Sequence, residues 1–162
     1  MERVFTQTFG VVGGLLVKDG KFLLVKESDG KGADGGKWSQ PAGWIDVGED
    51  VLAAAKREVE EETGYEFAPT YLLGIYSIVR NDLAEILGAT PHAIKLIFIG
   101  NISDKPTKEL YGDTSEVKWF SAEEIEEMSP SDLRDLDIKQ IVKDYLSGKK
   151  YPLEIIRHSV SE

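Results

Sequence analysis

Apolar residues fall in short runs with regular spacing. Residues 11–17 and 22–25 are two such runs joined by Lys18-Asp19-Gly20-Lys21. Asp-Gly between apolar runs predicts a hairpin, because both central residues of the tight turn must take positive φ. The longest apolar stretch, residues 10–17, is eight residues and reads as a strand, far short of the roughly 20 that span a bilayer. Residues 27–36 are rich in Gly, Asp, Ser and Lys and read as a loop. Over residues 50–63 the period changes: Val51, Leu52, Ala55 and Val59 recur at helical spacing, acids crowd the start, and Gly64 stands where a left-handed C-terminal cap belongs. Residues 67–79 and 92–99 are predicted strands, the second with Ile94, Leu96 and Phe98 on one face and Ala93, Ile97 and Ile99 on the other. Residues 80–91 form a long connection between them. A short strand is expected at 116–120, followed by a helix opened by Ser121 with Glu124 as its capping-box partner. A last amphipathic helix, 132–146, uses Leu133, Ile138, Ile141, Val142 and Tyr145 and stops at Gly148. With no internal repeat or linker, the pattern is a mixed sheet with a central helix and one or two late helices, α/β or α+β, in one domain over 1–162.

Composition narrows the function. The 162 residues hold 41% hydrophobic side chains, including three Trp, six Tyr and six Phe, enough for a packed core. Acids outnumber bases 29 to 19, a formal charge of −10. That balance disfavours nucleic-acid polymers and anionic membranes, which both require basic surfaces. A phosphate-bearing ligand must then be met locally or through a metal. With no Cys, disulfides, thiolate zinc sites and thiol nucleophiles are excluded together. The start, Met-Glu-Arg-Val-Phe-Thr-Gln-Thr, lacks a basic segment followed by an apolar one, and cytoplasmic residence is expected.

The chemistry is concentrated in residues 43–65. On a helix, Glu58 and Glu62 project along nearly one line with Glu61 about one side chain further round. The line borders the apolar stripe, so these carboxylates are expected to be partly covered, while Lys56, Arg57 and Glu60 point away from it. Three carboxylates at i, i+3 and i+4 repel one another, and partial burial makes their charge costlier. Two readings are open. One is a solvated acidic helix face; the other is a site for a hard divalent cation, Mg²⁺ or Mn²⁺, which takes oxygen ligands, a few waters and substrate phosphates.

The full spacing, Gly43-x5-Glu49-x7-Arg57-Glu58-Val59-x-Glu61-Glu62-x-Gly64, resembles the signature of the Nudix (MutT-like) hydrolases, with every fixed charged or glycine position filled. Tyr65 departs from the aliphatic residue usual there, a packing position. The resemblance implies an α/β/α sandwich with the box as loop, helix and loop, and Mg²⁺-dependent hydrolysis by water attack at phosphorus. Carried over by position, Glu58, Glu61 and Glu62 are metal ligands, the carbonyl of Ala42 is a candidate further ligand, and Glu58 or Glu61 also serves the attacking water. Glu49 pairs with Arg57 to hold the helix in place. Gly43 permits close backbone approach, and Gly48 and Gly64 serve as entry turn and cap.

Outside the box, Glu116 is a candidate catalytic base or extra ligand, with Glu85 as its rival. Trp38, Trp44 and Tyr76 are candidates for stacking on a base, Gln40 for reading a polar edge, and Arg80 for meeting phosphate. Lys95 and Lys37 are weighed beside Arg80 and read as solvated surface. Trp38-Ser-Gln-Pro-Ala-Gly and the ending from Tyr145 to Ile156 also resemble a bacterial phosphatase branch of the family. That branch is associated with nucleoside tri- and diphosphates and pyrophosphorylated thiamine precursors. The expected activity is hydrolysis of phosphoanhydride bonds in such small molecules. ADP-ribose or nucleotide-sugar hydrolysis is the alternative within the family, and a non-catalytic nucleotide sensor the alternative of another class. Residues 46–62 hold seven acids against two bases and read as a site waiting for cations; residues 104–137 hold eleven against four and read as solvated surface.

Overall fold

The computed structural model of the chain describes residues 8–30 and 34–161; the N-terminal stretch and positions 31–33 of the expected loop lie outside the described residues. Strands β1 (Thr8–Gly14) and β2 (Val17–Lys18) share the apolar run that the sequence suggests is one strand. They belong to different sheets. The chain crosses between Leu15 and Leu16, which are both buried but enter two different cores. Strand β2 turns through Asp19 (φ 50°) and Gly20 (φ 73°) into β3 (Lys21–Glu27), the expected hairpin.

Two short strands follow, β4 (Trp38–Ser39) and β5 (Ala42–Trp44), then helix α1 (Val51–Thr63). The long strand β6 (Phe67–Val79) is bounded as its sequence predicts, and the connection after it holds a single 3-10 turn and a short helix α2 (Ala84–Leu87). Strand β7 (His92–Ile102) runs three residues beyond the predicted end because Gly100, Asn101 and Ile102 still pair with Pro69, Ala68 and Phe67. Strand β8 (Thr114–Phe120) leads into α3 (Ala122–Glu127), whose capping box of Ser121 and Glu124 is formed. The last helix is shorter than predicted. Pro130–Asp132 is a separate 3-10 turn, Leu133 is extended and bridged to Trp38, and α4 begins only at Ile138 and ends at Leu146. Strand β9 (Tyr151–Pro152) closes the edge of β6.

The larger sheet has the order β5-β1-β7-β6-β9, with β1 parallel to β7 and the other pairs antiparallel. In the smaller sheet β3 is flanked by β8 on one side and by β2 and β4 on the other. Alternation along the strands divides the side chains between two apolar layers. Val12, Leu23, Val25, Leu72 and Phe98 pack against Ala54, Ala55 and Val59 of α1. Leu24, Leu73 and Ile97 pack against Ile125 of α3 and Ile138, Ile141 and Val142 of α4. This is a mixed-sheet α/β/α arrangement, as expected.

Glycine lets the short strand β5 sit against β1. A Cβ on Gly13 would lie 2.3 Å from the Pro41 carbonyl oxygen and 2.6 Å from the Ala42 Cβ. Gly13→Ala is therefore expected to push β5 off its seat at a cost of about 1–3 kcal/mol. Thermal unfolding checks this, with Tm lowered by roughly 3–9 °C.

Candidate functional site

Helix α1 is held at both ends. Asp50 accepts from the Leu52 and Ala53 amides at its start, and Gly64 (φ 73°) closes its end with an N–H to the Glu60 carbonyl. The Gly64 carbonyl also takes the amides of Thr107 and Lys108, and a Cβ at Gly64 would meet the Lys108 carbonyl at 2.5 Å.

On the exposed side of this anchored helix, Arg57 is surrounded by acids. Its guanidinium forks onto Glu49 through two 2.8 Å hydrogen bonds and donates to Glu58 at 2.7 Å, to Glu61 at 3.5 Å and to the Trp44 carbonyl at 3.2 Å. Glu49, itself accepting from the Asp46 amide, is held below the usual carboxylate range by Arg57. Burial pushes Glu58 up, more than Arg57 pulls it down. Its carboxylate lies against Gly43, where any Cβ would overlap it, so this glycine is required by contact rather than by φ. Glu62 is the most perturbed acid: burial pushes it to about 8, with only partial relief from Arg134 and from the Ala42 N–H, which donates to it at 2.9 Å.

Ala42 and Gly13 face each other as an antiparallel pair, and the Gly14 amide bonds the Pro41 carbonyl next to them. In that geometry the N–H and C=O of Ala42 both point away from β1, off the free edge of β5 where Glu62 reaches. The Ala42 carbonyl thus shares an edge with Glu62. Among the described residues no three acidic or histidine side chains close into a metal cage by themselves. The donor set still fits a hard cation. It is all oxygen, and two of its carboxylates are raised by burial that one arginine does not offset.

Two acids are placed otherwise than expected. Glu60, predicted to point to solvent, is buried; burial raises it, but Lys108, the Phe67 amide and Lys56 together hold it below its usual range. Glu116 is exposed, opposite Lys26 in the β3–β8 ladder, on the face of β8 opposite Val117, which packs in the layer of α1. The structure does not bring it to Glu58, Glu61 or Glu62, and Glu85 is likewise exposed on α2. Glu27, at the end of β3, is an acid from outside the box that does reach Glu62. It lines a cleft of about 40 Å³ with Glu62, Ser39, Asp113 and Arg134, and burial raises it too. The sequence reads Glu27 as the first residue of the 27–36 loop, whereas β3 runs on to include it.

Around the edge of β5, on the sheet face opposite α1, lies a pocket of about 460 Å³. Phe9 and Trp44 stack at one side of it with centroids 4.7 Å apart, and Trp44 is 59% exposed. Arg80, Lys95 and Arg134 supply cations, Asp34 and Asp135 anions. Arg80 is braced by Asp34 and Asp82 at 2.8 Å each, and Lys95 by Asp135 at 2.8 Å and Asp137 at 3.2 Å. Lys95 is 2% exposed. It and its two partners correct the expectation that Lys95 and the block 104–137 are wholly solvated surface. A cavity of equal volume beside Glu60 and Lys108 touches none of Glu58, Glu61 and Glu62.

The remaining candidates stand outside the pocket. Trp38 packs edge-on against Phe120 in the second core, under Lys26. Tyr76 donates its hydroxyl to Asp144 and lines a separate cavity with Lys149. Gln40 is fully buried, and neither atom of its amide finds a hydrogen-bond partner among the described residues.

The NUDIX domain model matches residues 5–142. Phosphatase NudJ of Escherichia coli (strain K12) is 34% identical over 139 residues, covering 85% of this chain and 83% of the relative. A NUDIX hydrolase from Nitrosomonas europaea superposes with a TM-score of 0.80 at 32% identity, over 94% of this chain and 98% of that one. The NUDIX domain of Shewanella oneidensis NrtR, solved with ADP ribose, shares the fold at a TM-score of 0.69 and 20% identity, over 89% of this chain and 90% of that one.

The raised pKa of Glu62 has a definite sign in stability. Its carboxyl is protonated up to about 8 in the folded chain against an ordinary value of 4.5, so metal-free stability falls as pH rises through that window. Glu62→Gln keeps an acceptor for the Ala42 amide and is expected to remove this fall, stabilising the metal-free chain above pH 8 by about 1–2 kcal/mol. Paired melting curves from about pH 5 to pH 9 check it; a variant whose Tm falls with pH as the parent's does contradicts the assignment.

Proposed function

The chain belongs to the Nudix hydrolase family and is a pyrophosphohydrolase of that class, and on that premise we propose that it hydrolyses nucleoside di- and triphosphates or related pyrophosphorylated metabolites. The observation that carries this reading is the crowding of Glu58 and Glu61 on Arg57, with Glu62 buried next to them and bonded to the Ala42 amide, beside a pocket with an exposed aromatic stack. Nudix hydrolases generally use divalent metals. Glu58, Glu61, Glu62 and the Ala42 carbonyl would hold Mg²⁺, or Mn²⁺, which would neutralise phosphate charge and acidify the attacking water.

The chain's own residues do the rest. Arg57 and Glu49 fix the rotamers of the carboxylates, the indirect support that such sites need. Glu61 is the most open of the three, 38% exposed and tied to Arg57 only at 3.5 Å, and takes the proton of the attacking water. Glu27 replaces Glu116 as the acid outside the box. Trp44 and Phe9 receive a planar base, and the pocket beside them leads to the edge of β5.

The size of the pocket favours one second reading, a nucleoside diphosphate carrying a further group such as ADP-ribose or a nucleotide sugar. The sensor reading loses support from the complete carboxylate set. Phosphate release from a nucleotide panel with Mg²⁺ tests all three. Turnover is expected, abolished by chelation and lowered about 100-fold or more by Glu61→Gln. Glu49→Gln is expected to cost about 10–100-fold. Trp44→Ala is expected to raise KM about 10-fold with kcat little changed. Tight nucleotide binding without turnover would instead establish the sensor.

A further inference from the structure

Arg134 is the described residue that lines both the 460 Å³ pocket of Trp44 and the 40 Å³ cleft of Glu27 and Glu62. A substrate reaching from the aromatic stack to the box carboxylates passes it. Its backbone is fixed: Leu133 is buried and bridged to Trp38, and the Arg134 amide donates to the Trp38 carbonyl at 2.9 Å. The side chain is thus aimed by a stitched strand segment.

The pocket's other two cations are committed. Arg80 makes hydrogen bonds to Asp34 and Asp82, and Lys95 to Asp135 and Asp137. Arg134 differs. Its guanidinium is 3.7 Å from Glu27 and 3.9 Å from Asp34, ion-pair distances too long for hydrogen bonds. Among the described residues its buried Nε has no hydrogen-bond partner, and neither has Oε2 of Glu27. A planar fork whose Nε is left unpaired matches a phosphate's oxygens.

We propose that Arg134 is a catalytic residue whose guanidinium donates to a non-bridging oxygen of the substrate's pyrophosphate group. This rests on the function proposed above. In the step it serves, the water oxygen bonds phosphorus, the bridging P–O bond breaks, the departing phosphate keeps the electron pair, and the water's proton goes to a box carboxylate. Arg134 stays protonated throughout and stabilises charge that grows as the bridge breaks.

The test compares the full chain with R134Q, R134K and the double variant E27Q/R134Q, with Mg²⁺ and the nucleotide of the panel that the parent turns over fastest. R134Q is expected to lower kcat/KM by about 30–300-fold, mostly in kcat, and to weaken inhibition by inorganic pyrophosphate about tenfold or more. Mn²⁺ affinity, read by electron paramagnetic resonance, should be unchanged. R134K keeps the charge without the fork and is expected to remain at least tenfold slow at the parent's Tm, so it carries the test if R134Q fails to fold. If Arg134 merely neutralises Glu27, losing it costs nothing once Glu27 is neutral, so E27Q/R134Q matches E27Q alone, measured beside it, and the proposal is overturned. It is also overturned if R134K, or a folded R134Q, keeps kcat within threefold. A parent inert towards the whole panel overturns the proposed function and this assignment with it, whereas an active parent with an equally active R134Q overturns this assignment alone.

Discussion

Negative charge crowded onto one turn of α1 is the constraint that organises this molecule. Glu58, Glu61 and Glu62 repel one another, and Arg57, already forked onto Glu49, is the one cation of the helix that contacts Glu58 and Glu61. Glu58 and Glu62 are left with raised pKa values, an arrangement that is unfavourable while both are charged. Much of the surrounding structure serves to hold it. Asp50 and Gly64 fix the helix ends, Ala54, Ala55 and Val59 press the other face into the core, and Gly43 leaves room for the Glu58 carboxylate.

Strand β5 connects this helix to the pocket. Its alternation turns Gly43 towards α1 and turns Ala42 and Trp44 to the opposite face, so three consecutive residues serve two sides of the sheet. Gly13 makes that placement possible by allowing β5 close to β1. Beyond the edge, Arg80 and Lys95 tie the connection after β6 and the strand β7 to Asp34, Asp135 and Asp137. These ion pairs keep the walls of the pocket fixed but spend the cations on the protein itself. With an overall charge of −10, the proposed phosphate site would draw its positive charge from the metal and Arg134.

Local signals in the sequence were sufficient for α1, β6 and the hairpin, where period, cap and turn residue agree. The box spacing also marked Arg57, Glu49 and the three carboxylates. Tertiary choices were not legible. The apolar run 10–17 carries no mark of the crossing at Leu15 and Leu16, since both residues are apolar and buried. The late helix looked longer because Leu133 fits its period, yet Leu133 is extended and paired with Trp38. Lys95 read as surface because its partners, Asp135 and Asp137, lie forty or more residues away. Glu27 and Arg134 carry no spacing at all relative to the box; only the packing of β3 and the segment before α4 brings them to Glu62. Glu116 and Glu27 occupy neighbouring positions across the β3–β8 ladder, and the face each presents decides which one meets the carboxylates.

The cation site proposed on α1 is open to direct measurement. Calorimetric titration of the metal-free chain with Mg²⁺ at pH 7, repeated in buffers of different ionisation enthalpy, counts the protons released on binding. Because Glu62 titrates at about 8 without metal, about one proton should leave per chain at pH 7, and the number should fall towards zero by about pH 9. Saturable binding with no proton release across this range would contradict the role given to Glu62, and absence of binding would contradict the site as a whole.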